Sequence, residues 1–183
     1  INIGISLESQ LLAITKFLSE KKKNKTIIMY PKNNYEKFID KKIKSLQLKN
    51  YKIFKYNTDP KLITGEIEKL TNYSQRKKNL ELRKKKLKKK DDEQAVKELA
   101  RLEQLYTLGK VNFDSVIIID FGNNLKSVLA SLVLTDVDDE KVLITTVNQW
   151  FDESIFYENS VKNLYYPSVN FKNPNTPRAI KNN

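Results

Sequence analysis

The triplet Asp120-Phe121-Gly122 follows the apolar run Val-Ile-Ile-Ile at 116–119. It has the residue types that hold Mg²⁺ in one large class of phosphoryl-transfer enzymes. Such an enzyme also needs a glycine-rich loop over the phosphates and a His-Arg-Asp catalytic loop. The chain has four glycines, at positions 4, 65, 109 and 122, and no histidine. The sequence therefore excludes that chemistry. The shortage of glycine excludes the P-loop and the dinucleotide-binding fingerprint as well.

Other side chains that commonly carry catalysis are also missing. The absence of cysteine and histidine excludes disulfides, thiolate nucleophiles, imidazole bases and Cys/His zinc sites. An acidic cluster at 136–140 does not have the spacing of a calcium loop, which favours a solvated turn. Asp120 is the one acid placed for catalysis, and no base–nucleophile pair accompanies it. We therefore expect a non-enzymatic protein that needs no metal and no cofactor.

Polar and aromatic residues follow three of the predicted strands. In open α/β sheets, ligands bind at the carboxyl ends of the strands, so these residues are candidate contacts for a small polar ligand. They are Tyr35, then Phe121, Gly122 and Asn123, then Asn148, Gln149 and Trp150. A purely structural interpretation stays open, with Trp150 packed under the next helix and Asn34 capping a helix.

The elements that position these residues alternate between strand and helix. Short extended or apolar runs at 1–6, 25–31, 51–57, 113–121, 141–150 and 163–170 predict strands, separated by amphipathic segments typical of helices. Near-continuous apolar strands are buried on both faces, as in a parallel sheet covered by helices. The sequence therefore predicts an α/β protein with a doubly wound, mostly parallel sheet in a three-layer αβα arrangement.

A long insertion separates the third and fourth of these strands. Between about residues 61 and 109, two apolar stripes flank a polar tip at 91–93, which predicts an antiparallel helical hairpin. Residues 76–90 hold ten of the chain's Lys and Arg residues and one Glu, so +9 of the net charge of +12 lies there. A solvated helix face is one interpretation of this run, and a surface for a protein or an anionic envelope is another. Nucleic acid is not expected, because no aromatics interleave the lysines.

The order of these segments resembles the second lobe of the type I periplasmic binding proteins. Residues 1–38 are similar to the opening of that lobe, with a short strand, a Gln-bearing helix, an Ile/Val strand and a loop tyrosine. FDSVIIIDFGNNLKSVLASL (113–132) and KVLITTVNQWFDES (141–154) are similar to its next two strands and their cleft-facing ends. One departure is Glu36, where the family usually has Gly.

This resemblance implies a single lobe over 1–170, followed by a loose Pro/Asn-rich tail at 171–183. It implies a periplasmic or envelope location and a ligand-binding role at the same three loops. A first lobe that completes the cleft is missing from the chain, which we expect to belong to a longer protein. The first hypothesis is thus a solute-binding lobe of a transport system, with an amino-acid-like ligand and a membrane permease as partner.

The insertion resembles the Arg-rich helical stretch of the penicillin-binding-protein activator lipoproteins, which share the fold and contact a peptidoglycan synthase. The second hypothesis is therefore an envelope regulator of this type. Its docking residues would be Arg83, Lys84, Lys85, Lys88 and Lys89.

Overall fold

The computed structural model describes residues 6–46, 48–90, 92–148, 154 and 161–168. Its strands are β1 (Thr26–Pro31), β2 (Tyr51–Tyr56), β3 (Ser115–Ile118), β4 (Leu143–Thr146) and β5 (Leu164–Tyr165). Its helices are α1 (Leu7–Glu20), α2 (Glu36–Lys44), α3 (Pro60–Thr71), α4 (Tyr73–Leu87), α5 (Glu93–Glu103) and α6 (Gly122–Leu134). The predicted first strand and the tail lie outside the described residues.

The strands form one parallel sheet in the order β2-β1-β3-β4-β5. In the centre, Ile28 pairs with Ile53 on one side and with Ile117 on the other. The chain winds from β1 outward to β2, returns to β3 and then proceeds the other way to β4. This is the doubly wound topology that the apolar strands predicted, and the fold class is confirmed.

The two faces of the sheet carry separate apolar clusters, because successive strand residues point to opposite sides. On β1, Ile27 and Met29 pack with α3 and α6, whereas Ile28 and Tyr30 pack with α1 and α2. The sheet is thus the middle of three layers. Within the described part of the chain, no helix has both the length and the apolar character that a membrane span requires.

Local signals in the sequence set the starts of several helices. Ser6, the predicted N-cap of α1, accepts a hydrogen bond from the Ser9 amide. At α2 the structure differs from the prediction, because the N-cap position is Tyr35 and not Asn34. The Asn33 side chain accepts from the Tyr35 amide and holds this turn instead.

The insertion contains three helices, not the predicted pair. The first of them, α3, is an ordinary crossover helix, since Ile63 and Ile67 are buried against α6 and the sheet. It ends at Asn72, whose left-handed φ of 51° turns the chain into α4. The inserted part is therefore α4 and α5, residues Tyr73–Glu103, which we name the arm.

The arm has an apolar cluster of its own, separate from the two clusters on the sheet. Leu80 and Leu87 of α4 pack with Ala95 and Leu102 of α5. Arg83 of α4 donates two hydrogen bonds of 2.9 Å, one to each Glu98 oxygen of α5, and a third from Nε at 3.0 Å. The antiparallel orientation of the two helices stays a prediction.

Arg76, at the base of the arm, joins it to the end of α6. The residue is 5% exposed, and its guanidinium donates to Thr107 Oγ1 (2.7 Å) and to the carbonyls of Thr135 (3.3 Å) and Asp136 (2.6 Å). The Asp136 carboxylate lies 3.4 Å from the guanidinium and accepts a hydrogen bond from Thr107. Burial lowers the pKa of Arg76 and the Asp136 charge opposes this effect. A charge in this setting is stable only because it is paired.

We predict that Arg76→Ala lowers the free energy of unfolding by about 3 kcal/mol, because it breaks a buried, hydrogen-bonded charge pair. Arg76→Lys should lose most of the same stability, since an ammonium cannot reproduce the guanidinium fork. Urea unfolding measures both. The matched control is Lys77→Ala, an exposed neighbour that should change stability by less than about 0.5 kcal/mol. Equal stability of Arg76→Ala and the control would contradict the anchoring role.

Candidate functional site

The carboxyl ends of β1 and β3 meet at the point where the strand order reverses. These neighbouring strands continue in opposite directions, β1 toward β2 and β3 toward β4. Open α/β sheets bind ligands in the crevice at such a switch point. Two predicted contacts follow these strands. They are Tyr35, which is 69% exposed, and Phe121, which is 43% exposed.

Phe121 also precedes α6, whose first turn faces this edge. The N-cap position is Phe121 itself, and its side chain makes no capping hydrogen bond. Gly122 begins the helix with φ of 55°, a conformation that glycine adopts at no steric cost. Asn123 follows and is exposed. The positive end of the helix dipole therefore lies beside an exposed aromatic ring.

The third predicted loop is tied into the fold. The Asn148 amide donates to Gln10 Oε1 of α1 (2.7 Å), and its side-chain amide donates to the Pro167 carbonyl (2.8 Å). Asn148 thus positions this loop between α1 and the segment after β5. Gln149 and Trp150 lie outside the described residues. Ligand binding by all seven predicted residues stays a prediction.

A buried Tyr–Asp pair lies under this edge. The Tyr56 hydroxyl, at the end of β2, donates to Asp120 Oδ2 (2.5 Å), and the Phe121 amide donates to Asp120 Oδ1 (2.8 Å). Burial raises the pKa of Asp120, and hydrogen bonds from Tyr56, Phe121 and Asn124 oppose the rise. Burial and the Asp120 charge raise the pKa of Tyr56, so its hydroxyl stays protonated and keeps donating.

A second polar cluster joins β1, β2 and α2. The Tyr30 hydroxyl donates to Asp40, and Lys55 donates to Asp40 (2.9 Å) and to Glu36 (3.1 Å). Lys55 also lies over the Tyr30 ring, 5.4 Å from its centre. The pKa of Asp40 is lowered, mainly by the hydrogen bond from Tyr30 and next by the hydrogen bond from Lys55. The hydrogen bond of the Tyr30 hydroxyl is therefore made within the protein, to Asp40.

A third contact fixes the loop after β2. Glu66 of α3 accepts from the Asn57 amide (2.8 Å) and from the Lys32 ammonium (3.3 Å). The loops after β1 and β2 are thereby joined through one carboxylate. Within the described residues, no group of acids is placed to hold a metal ion.

The polar side chains of this edge hold its loops in a fixed arrangement. Most of its charged groups engage one another, so the loops that carry Tyr35 and Phe121 are held in place. Sequence reasoning missed Tyr56, Lys55, Asp40 and Glu66 as members of the edge. The strand-end rule, applied to the run 51–57 as well, would have selected Tyr56.

The predicted docking residues lie on the arm, whose base contacts the opposite edge of the sheet. A helix between parallel strands runs back toward their amino ends, so the end of α6 that Arg76 contacts is at that edge. Arg83 is engaged with Glu98, and Lys84 Nζ lies 4.0 Å from Glu81. The exposed lysines at positions 77–90, which we name the lysine surface, are Lys77, Lys78, Lys85, Lys86, Lys88, Lys89 and Lys90.

No protein-family model matches the chain, and no curated protein matches it. One solved structure that matches is described as a probable maltose operon transcriptional repressor from Staphylococcus aureus, with a TM-score of 0.43 and 16% identity over 78% of this chain. The chain spans 41% of the repressor's own length. The similarity is compatible with the α/β fold described above and carries no argument about function.

The raised pKa of Asp120 predicts a pH dependence of stability. The folded chain holds the Asp120 proton more tightly than the unfolded chain, where aspartate titrates near 3.8. The contribution of Asp120 to the free energy of unfolding should therefore fall as pH rises from about 4 through the raised pKa. Asp120→Asn removes this titration, so its stability relative to the wild type should increase over the same interval.

Urea unfolding between about pH 4 and pH 7 measures this difference. Glu20→Gln, a change at an exposed carboxylate, is the control. A constant offset between Asp120→Asn and the wild type across the range would contradict the predicted direction.

Proposed function

We propose that the chain is a non-enzymatic binding lobe of the type I periplasmic-binding-protein class, which binds a small polar, amino-acid-like ligand. The observation that carries this proposal is the switch point between β1 and β3. There, exposed Tyr35 and Phe121 lie beside the start of α6. The protein would be located in the cell envelope and would have a membrane permease as its partner, as the resemblance in the order of its segments implies.

Each end of such a ligand has a complementary group at this edge. A carboxylate is stabilised at the amino end of a helix, here the first turn of α6. An ammonium group is stabilised by carboxylates, and Glu36 and Asp40 are both partly exposed beside Lys55. The rings of Tyr35 and Phe121 supply apolar surface that covers the ligand.

We predict that the full-length protein shows a selective thermal shift in a panel of amino acids and related polar solutes. A ligand at 100 times its Kd adds roughly 2.7 kcal/mol of stability, which is readily measured. Phe121→Ala and Tyr35→Ala should each weaken the shift by roughly tenfold in affinity, since each removes an aromatic contact.

Phe38→Ala is the matched control, because Phe38 is an exposed aromatic on α2 that contacts Lys42. Its binding should equal that of the wild type. A panel without any shift, or a shift that Phe121→Ala and Tyr35→Ala leave unchanged, would overturn the proposed site.

A second candidate function is an envelope regulator of the penicillin-binding-protein activator type. The observation that favours it is the anchored arm. A charged helix pair with its own apolar cluster and a buried arginine at its base presents a fixed surface, as protein docking needs. In this function the partner would be a peptidoglycan synthase.

We predict that reversing Lys84, Lys85, Lys88 and Lys89 to Glu abolishes capture of a peptidoglycan synthase, because it removes the cationic surface while leaving the apolar cluster of the arm unchanged. Pull-down with purified synthase measures this. Capture that is undiminished in the variant would contradict the regulator function and leave the ligand site unaffected.

A further inference from the structure

One exposed leucine interrupts the lysine surface. Leu82 is 47% exposed, although the other leucines of α4, Leu80 and Leu87, are buried in the arm. Residues three and four apart are neighbours on a helix. The nearest charged neighbours of Leu82 by this rule are Lys78, Lys85 and Lys86, and Lys89 follows just after the end of α4. Three of the four positions that neighbour Leu82 at this spacing thus carry ammonium groups, and the fourth is Asn79.

The arginines of the same helix do not contribute to this face. Arg76 is buried against Asp136 and Thr107, and Arg83 is engaged with Glu98. Planar guanidinium groups give bidentate, shape-specific recognition, whereas lysines act as flexible point charges. Lys78, Lys85, Lys86 and Lys89 have no ion pair with the residues that the structure describes. What the helix presents to solvent is therefore diffuse positive charge.

This composition fits a lipid surface better than a protein or a nucleic acid. Protein interfaces are enriched in Arg and aromatic residues and depleted in Lys. Single-stranded nucleic acid needs aromatic platforms, and α4 has one aromatic residue, Tyr73, at its start. Lysines with extended apolar stems around an apolar residue match the boundary between lipid headgroups and acyl chains.

We propose that the face of α4 centred on Leu82 docks on an anionic phospholipid membrane. Lys78, Lys85, Lys86 and Lys89 contact the phosphate and carboxylate headgroups, and Leu82 enters the interface between them. This role is independent of ligand binding at the carboxyl edge of the sheet, since the arm begins at the opposite edge.

Co-sedimentation of the full-length protein with vesicles tests the proposal. The two compositions are phosphatidylcholine alone and phosphatidylcholine with about one-third phosphatidylglycerol. We expect binding to the anionic vesicles only, weakening as salt increases. Each lysine near an anionic surface is worth roughly fivefold in partitioning. The variant Lys78→Glu, Lys85→Glu, Lys86→Glu, Lys89→Glu should therefore lose at least about a hundredfold. Leu82→Gln should lose several-fold at unchanged net charge.

The control reverses four exposed lysines elsewhere, with the same change in net charge. Lys16, Lys37, Lys41 and Lys69 serve this purpose. Binding retained in the control and lost in the α4 variant supports the proposal, with circular dichroism confirming that both are folded. Equal loss in both variants would show that net charge alone attracts the vesicles and would overturn it. Equal binding to both vesicle types would overturn it as well. So would the result that the protein binds an acidic protein but neither type of vesicle.

Discussion

Burial of the central strands on both faces is the constraint on which the rest of this structure depends. Ile27 and Ile28 are consecutive, and each needs a different apolar layer, so helices must cover both sides of the sheet. Covering both sides forces the chain to wind outward from β1 and then back through β3. The switch point, and with it the exposed pair Tyr35 and Phe121, is a product of that winding.

The same burial explains why the carboxyl edge is rich in internal hydrogen bonds. Tyr30 and Tyr56 come from the strands themselves, and their hydroxyls must find partners where the strands end. Asp40 and Asp120 supply these partners from outside the strands. These hydrogen bonds hold the neighbouring loops, so the exposed rings of Tyr35 and Phe121 are kept in place at the edge.

The fold was predictable because its strands are short apolar runs whose periodicity is plain. The boundaries of the insertion were harder to predict, because the sequence of α3 and α4 reads as one uninterrupted helix in which Asn72 alone marks the break. The role of Arg76 was hidden for a related reason. In the sequence it is the first of ten cations, and only its contact with Asp136, sixty residues away, separates it from its neighbours. Strand-end reasoning located Phe121 and Gly122 correctly at the edge, but hydrogen bonds such as that between Asn148 and Gln10 depend on long-range packing.

The way in which the arm is attached has a consequence for how the protein can vary. The described long-range hydrogen bonds between the arm and the rest of the chain gather at Arg76, and the buried members of the arm's apolar cluster all belong to α4 and α5. A change in the length of α4 beyond Arg76 would therefore leave the residues of the sheet and their contacts in place. The distance between the lysine surface and the sheet can therefore vary among related chains while the packing of the sheet stays the same.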